Sequence, residues 1–158
     1  MRSNFLKHSL AGLILSTALC GTAWAEDVFL MDGVTPSSKD TTLVPAGTFK
    51  KDGPWVIGMS HFGVNANTWT VQVAHETEAA AAKDDRIEKL IILDAGFDQA
   101  KQVADIEDLI AQGVDAIIVQ PVTSTSANAS IEKAVAAGIP VVLHTGRIES
   151  DAFTTEIQ

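Results

Sequence analysis

The chain has 158 residues, 46% of them hydrophobic, with 20 acidic against 11 basic side chains and a formal net charge of −9. That acidity, without basic clusters, excludes a nucleic-acid-binding surface and repels anionic lipid. The length bounds the fold to about one small domain, enough for a modest core.

Residues 1–25 read as a secretory signal peptide. Arg2 and Lys7 give a basic start, residues 10–19 are apolar, and Ala23-Trp24-Ala25 sets small residues at the −3 and −1 positions before Glu26. A membrane anchor wants about 20 apolar residues, and the run here is about half that. Cys20 follows Leu19, where a lipoprotein signal wants a small residue, so it belongs to the removed peptide. Cleavage after Ala25 leaves 133 of the 158 residues and removes two basic residues but no acid, moving the charge from −9 to −11. The exported chain is then expected to lack any disulfide, thiol nucleophile or thiolate metal site, and to make no direct membrane insertion.

Residues 26–53 are rich in Thr, Ser, Gly, Pro and Lys and are expected to form an extended lead-in, packed on the domain or partly mobile. Residues 54–158 form the domain. Residues 55–60 (WVIGMS) read as a first strand after Gly53-Pro54. A polar loop leads to a helix over 68–83, with Asn67 or Thr68 as its cap and Trp69, Val73, Thr77 and Ala80 on one face. Residues 89–95 (KLIILDA) are a continuous apolar run, as in a strand buried on both sides.

From Asp98 the chain twice repeats helix, glycine, short apolar strand. Asp98 caps the second helix, Val103, Ile106, Leu109 and Ile110 form its inward stripe, and Gly113 supplies a left-handed C-cap. Strand three is 116–120. The third helix opens at 123–126, turns Ala127, Ile131, Ala134 and Val135 inward, and closes at Gly138; strand four is 139–144. Residues 151–158 begin a further strand. The pattern predicts an α/β fold, a parallel flavodoxin-like sheet with helices on both faces.

Such sheets hold ligands at the carboxyl ends of their strands, at the switch point between the first and third. There the sequence places His61, Asn67 and Trp69, then Gln120 and Thr123, then His144, Thr145 and Arg147. An indole stacks on the C–H face of a sugar ring, while amide and guanidinium groups bind adjacent hydroxyls, so this set suits a neutral polyhydroxylated ligand. Each residue also has a plain structural role open to it. Trp69 could staple the first helix to the sheet, Gln120 could cap the next helix, and Arg147 could be a solvated charge near Glu149 and Asp151.

Enzyme signatures are missing. No G-x-G-x-x-G follows a strand, residues 58–63 lack the Lys and Ser/Thr of a phosphate loop, and no G-x-S-x-G elbow occurs. His75-Glu76 starts like a zinc motif, but position 79 is Ala. His61, His75 and His144 are expected to serve separate structural roles. Asp94 ends a strand off the switch point, which argues against a phospho-acceptor. No cofactor or metal is implied.

Three stretches carry a family resemblance: VIGMSHFGVNANTWTVQVAHETEAAAA, LDAGFDQAKQVADIEDLIAQGVDAIIVQPVTST and AVAAGIPVVLHTGR. Together they resemble a periplasmic sugar-binding protein of the ribose-binding type, the solute receptor of an ABC importer. The resemblance implies the type I periplasmic-binding-protein fold, two lobes closing on a ligand by hinge bending, and the permease membrane subunits as partner. It implies that Trp69 stacks on the sugar, with Asn67 beside it, and that Gln120 stands where relatives place a ligand-contacting Asn. Relatives often read Asp-Arg after strand four, whereas this chain has His144-Thr145-Gly146-Arg147, so a polyol, a cyclitol or a modified sugar is equally open.

Relatives are also longer, so the chain is expected to supply most of the N-terminal lobe, in a partial form. The expected function is non-enzymatic solute binding in the periplasm. The alternatives are the sensing lobe of an exported chemoreceptor or hybrid kinase, and an exported small α/β enzyme.

Overall fold

Strand and helix alternate along the chain as the apolar periodicity dictates. The computed structural model describes residue 44 and residues 47–157; the signal peptide, its cleavage point and most of the lead-in lie outside the described residues. The elements are β1 (Trp55–His61), α1 (Thr68–Ala81), β2 (Ile87–Asp94), α2 (Gln99–Gln112), β3 (Ala116–Val119), α3 (Asn128–Ala136), β4 (Val141–His144) and β5 (Thr155–Ile157).

All five strands are parallel, in the order β2-β1-β3-β4-β5. The chain steps one way from β1 to β2 and the other way from β2 to β3 and β4. Right-handed crossovers therefore put α1 on one face and α2 with α3 on the other. This is the expected flavodoxin-like order, with β1 and β3 adjacent at the switch point.

The core lies between the sheet and the α2–α3 face. Ile106 and Leu109 from α2, Ile117 and Val119 from β3, Ile131 and Ala134 from α3, and Val141 and Leu143 from β4 are fully buried there. Gly58 of β1 lets α2 approach, since a Cβ at that position would lie 2.7 Å from Leu109 Cδ2. Asp98 caps α2 by accepting from Lys101 N–H, and Gly113 ends it with φ 69°, both as expected. The described part of the lead-in is fastened by an ion pair of Lys51 with Asp115, whose other oxygen accepts from Val56 N–H.

Two helices depart from the expectation. The buried residues of α1 are Thr70 and Ala74, while Trp69 is 46% exposed. Asn67 Oδ1 accepts from Thr70 N–H, and Thr70 Oγ1 accepts from Asn67 N–H. This reciprocal cap turns Thr70 inward and leaves Trp69 roughly 100° round the helix. The second departure is α3, which begins at Asn128 rather than at 123–126. Thr123 Oγ1 accepts from Ser126 N–H and holds that stretch as a turn.

Candidate functional site

The sheet register assembles a polar row from residues far apart in sequence. His61 ends β1 and pairs with Asp94 of β2, while His144 ends β4 and pairs with Ile157 of β5. Ser60 pairs with Val119, and Val119 with Leu143. The N–H of Gln120 donates to Ser60 O at 2.9 Å, which carries the pairing one residue past β3. His61, Gln120 and His144 are thus consecutive in one row across β1, β3 and β4. Because side chains alternate along a strand and Ser60 faces α2, the row faces α1.

The row is wired together and then left incomplete. Gly63 N–H donates to His61 Nδ1 at 2.9 Å, so the imidazole proton of His61 sits on Nε2. Gln120 Nε2 lies 2.8 Å from His144 Nδ1. An amide nitrogen only donates, so His144 Nδ1 accepts and its proton is also on Nε2. His61 Nε2 and Gln120 Oε1 are buried without a hydrogen-bond partner. A buried polar atom left unsatisfied costs about 1–3 kcal/mol, so the row carries hydrogen-bonding capacity that the described residues do not use.

Trp69 supplies the apolar wall. Its indole lies parallel to the His144 imidazole, with 3° between planes and 6.3 Å between centroids. Burial lowers the pKa of His61; the charge of Asp94 opposes this and the proximity of His144 reinforces it. Burial likewise lowers the pKa of His144. Both imidazoles are therefore held in the neutral form near neutral pH.

Two residues outside the expected set hold the site in shape. Gln102 of α2 is fully buried, and its Nε2 donates to Gln120 O at 2.8 Å while its Oε1 accepts from Val122 N–H at 2.8 Å. It clamps the turn after β3 from the α2 side. Asp94 Oδ1 accepts from Val64 N–H and Gly96 N–H, tying the β1–α1 loop to the end of β2. A polar residue on the otherwise apolar α2 stripe was the only sequence signal for Gln102.

The expected residues fall into three groups. His61, Trp69 and Gln120 meet at the row, and His144, from the end of the fourth strand, joins them; His75 lies apart, exposed on α1. Thr145, with φ 54°, places Oγ1 3.0 Å from His144 Nδ1. The side chains of Asn67 and Thr123 are engaged as helix cap and turn lock. Arg147 is largely exposed and pairs with Glu156 at 3.5 Å.

A separate cleft of about 510 Å³ opens at the amino ends of the strands, between residues 48–51 and the turns before β3 and β4. It is remote from the row. Among the described residues no group of three or more His, Cys, Asp or Glu could hold a metal ion, and no helix is long and apolar enough to cross a membrane.

Comparison with known proteins agrees with this fold. The chain is 42% identical over 88 residues to the ribose import binding protein RbsB of Bacillus subtilis (strain 168), covering 56% of this chain and 28% of that one. An ABC transporter solute binding protein from Bacillus halodurans C-125, solved with bound myo-inositol, superposes with a TM-score of 0.60 at 31% identity. That match covers 67% of this chain and 36% of that one. The fructose binding periplasmic domain of the hybrid two component system BT1754 gives a TM-score of 0.61 at 27% identity, covering 65% and 33%. The matches thus span about a third of the length of these relatives. Residues 61–154, more than half of the chain, match the model of the periplasmic binding protein domain, and the chain belongs to that family.

Proposed function

We propose that this chain supplies one wall of an extracytoplasmic receptor for a neutral sugar or cyclitol, binding it at the carboxyl ends of β1, β3 and β4. The observation that carries the reading is the row His61–Gln120–His144 beside the exposed indole of Trp69. A saturated ring offers a C–H face for the indole and hydroxyls at its edge for the row. Support also comes from the relatives, one named for ribose import and another holding myo-inositol. The reading includes export by the signal peptide at 1–25, closure of a second lobe over the ligand, delivery to an ABC permease, and no catalysis.

The test is a titration of the chain with D-ribose, L-arabinose, D-fructose and myo-inositol, followed by Trp69 fluorescence and amide NMR shifts. One wall buries less ligand surface than a closed cleft, so the titration runs to high concentration. At least one compound is expected to shift residues around the row. If none does, the receptor reading fails.

A second reading, a sensing lobe of a signalling protein, is supported by the likeness to the periplasmic domain of a hybrid two component system. Reading the DNA after the codon for Gln158 separates the two. A second lobe followed by a stop codon favours import, and a membrane helix followed by a kinase domain favours sensing.

A further inference from the structure

The two imidazoles of the row face partners of different kinds. His61 Nδ1 accepts from the backbone N–H of Gly63, a donor that cannot become an acceptor. His144 Nδ1 lies 2.8 Å from Gln120 Nε2 and 3.0 Å from Thr145 Oγ1. Both of those groups are reversible. A carboxamide turned half round offers oxygen where it offered nitrogen, at nearly the same volume, and a hydroxyl both donates and accepts. Thr145 is held beside the imidazole at φ 54°, which a β-branched residue rarely adopts. Gln120 Oε1 has no partner. The backbone of Gln120 is pinned, its N–H to Ser60 O and its O to Gln102 Nε2, so the side chain turns without moving the sheet.

We propose that the row is a proton switch: His144 takes up a proton at Nδ1 before His61 does, and the carboxamide of Gln120 turns over so that Oε1 accepts from it. The inference stands apart from the receptor reading, since it concerns the row without a ligand. The turn gives Oε1 the partner it lacks and leaves Nε2 in its former place, so the number of unpartnered amide atoms is unchanged. The new contact is charge-assisted and stronger than the neutral one it replaces. At His61 the same proton would set Nδ1–H against Gly63 N–H, two buried donors in opposition.

The surrounding charges favour the same order. Gln120 of β3, Trp69 of α1 and Ile157 of β5, which neighbour His144, are uncharged, and burial alone lowers its pKa. Burial opposes a proton on His61; Asp94 favours one, and a charged His144 again opposes it. Glu156, which holds Arg147, pairs in register with the core residue Leu143 and so faces the opposite side of the sheet from the row. Acid therefore sets a positive charge against the indole of Trp69 and reverses the hydrogen-bonding sense of Gln120, with the backbone in place.

The test follows the whole chain, labelled with ¹⁵N, as the pH falls from neutral. Long-range ¹H–¹⁵N spectra are expected to show the Nε2–H tautomer at both imidazoles first, then titration of His144 at a higher pH than His61. The side-chain amide signals of Gln120 should move with the His144 midpoint. Gln120→Met, which has no amide, should weaken proton binding at His144 about threefold to tenfold, the difference between a charge-assisted and a neutral hydrogen bond. Gln120→Glu, an acceptor throughout, should strengthen it. Thr145→Gly, which keeps the left-handed backbone and drops the hydroxyl, should weaken it by less than Gln120→Met does.

An Nδ1–H tautomer of His144 at neutral pH overturns the switch, because the amide would already be accepting. So does titration of His61 first, a Gln120 amide that ignores the His144 midpoint, or acid unfolding before His144 titrates. Should a variant not fold, the order of the two midpoints and the Gln120 signals in the unaltered chain decide.

Discussion

The imidazole of His144 lies parallel to the indole of Trp69, 3° apart in plane and 6.3 Å between centroids. A saturated ring touching both faces would need about 7–8 Å between them. The pair therefore leaves no room for such a ring between its faces, and on the proposed reading a sugar lies against the open surface of Trp69. Trp69 is 46% exposed even with this contact, so its face is available.

Trp69→Ala should accordingly abolish the fluorescence-independent response to the best neutral probe while costing stability about 1 kcal/mol or less. Amide NMR titration and urea unfolding measure the two effects separately. A response that survives the change would remove Trp69 from the site.

Acid should weaken the fold through the two buried imidazoles. Burial lowers the pKa of both His61 and His144 below the ordinary 6.5. The unfolded chain thus takes up protons at a higher pH than the folded chain does. Stability from this source is complete above 6.5, declines as the pH falls below it, and is lost through the lower folded values. Protonating His144 Nδ1 also removes the acceptor for Gln120 Nε2. Asp115, whose carboxyl is lowered by the ammonium of Lys51 and by Val56 N–H, acts in the more acidic carboxylate range. Urea unfolding between pH 7.5 and 5.5 should show the decline, and the His61→Asn/His144→Asn double variant should flatten it. An unchanged slope in that variant would place the titration elsewhere.

Removing the Gln102 amide should loosen the switch point. Gln102→Leu leaves Gln120 O and Val122 N–H without their side-chain partner, a loss of about 2–4 kcal/mol for two buried groups. Gln102→Glu keeps an acceptor for Val122 but not the donor to Gln120, so its cost should be intermediate. A loss below about 0.5 kcal/mol for the leucine variant would mean that surface-like tolerance applies and the clamp is not structural.

Gly58 and Leu109 should behave as a coupled pair. Gly58→Ala places a Cβ 2.7 Å from Cδ2 of a leucine that has no exposed surface, so overpacking of about 1–3 kcal/mol is expected. Leu109→Ala alone should cost about 2–5 kcal/mol. Together they should cost less than the sum, by about 0.5–3 kcal/mol. Strict additivity in denaturant unfolding would show that the two do not touch.

The fold was legible because its signals act over a few residues. The helix–glycine–strand repeat, the Asp98 cap and the left-handed Gly113 each follow from neighbouring residues, and right-handed crossovers then leave few ways to lay out the sheet. The same signals placed His61, Gln120 and His144 at strand ends. Apolar spacing also puts Trp69, Val73, Thr77 and Ala80 on one face of α1, whereas the residues that α1 buries are Thr70 and Ala74, next to the Asn67–Thr70 cap.

By itself, then, the sequence determined the order of elements and the end of the sheet where a site must lie, since hydrophobic period and capping are local. Only the tertiary structure decided that two histidines 83 positions apart flank one glutamine, that an amide of α2 clamps the turn after β3, and that Trp69 faces outward. Those relations depend on strand register, which the summed pairing of β1, β3 and β4 fixes over the core and no short stretch of sequence encodes.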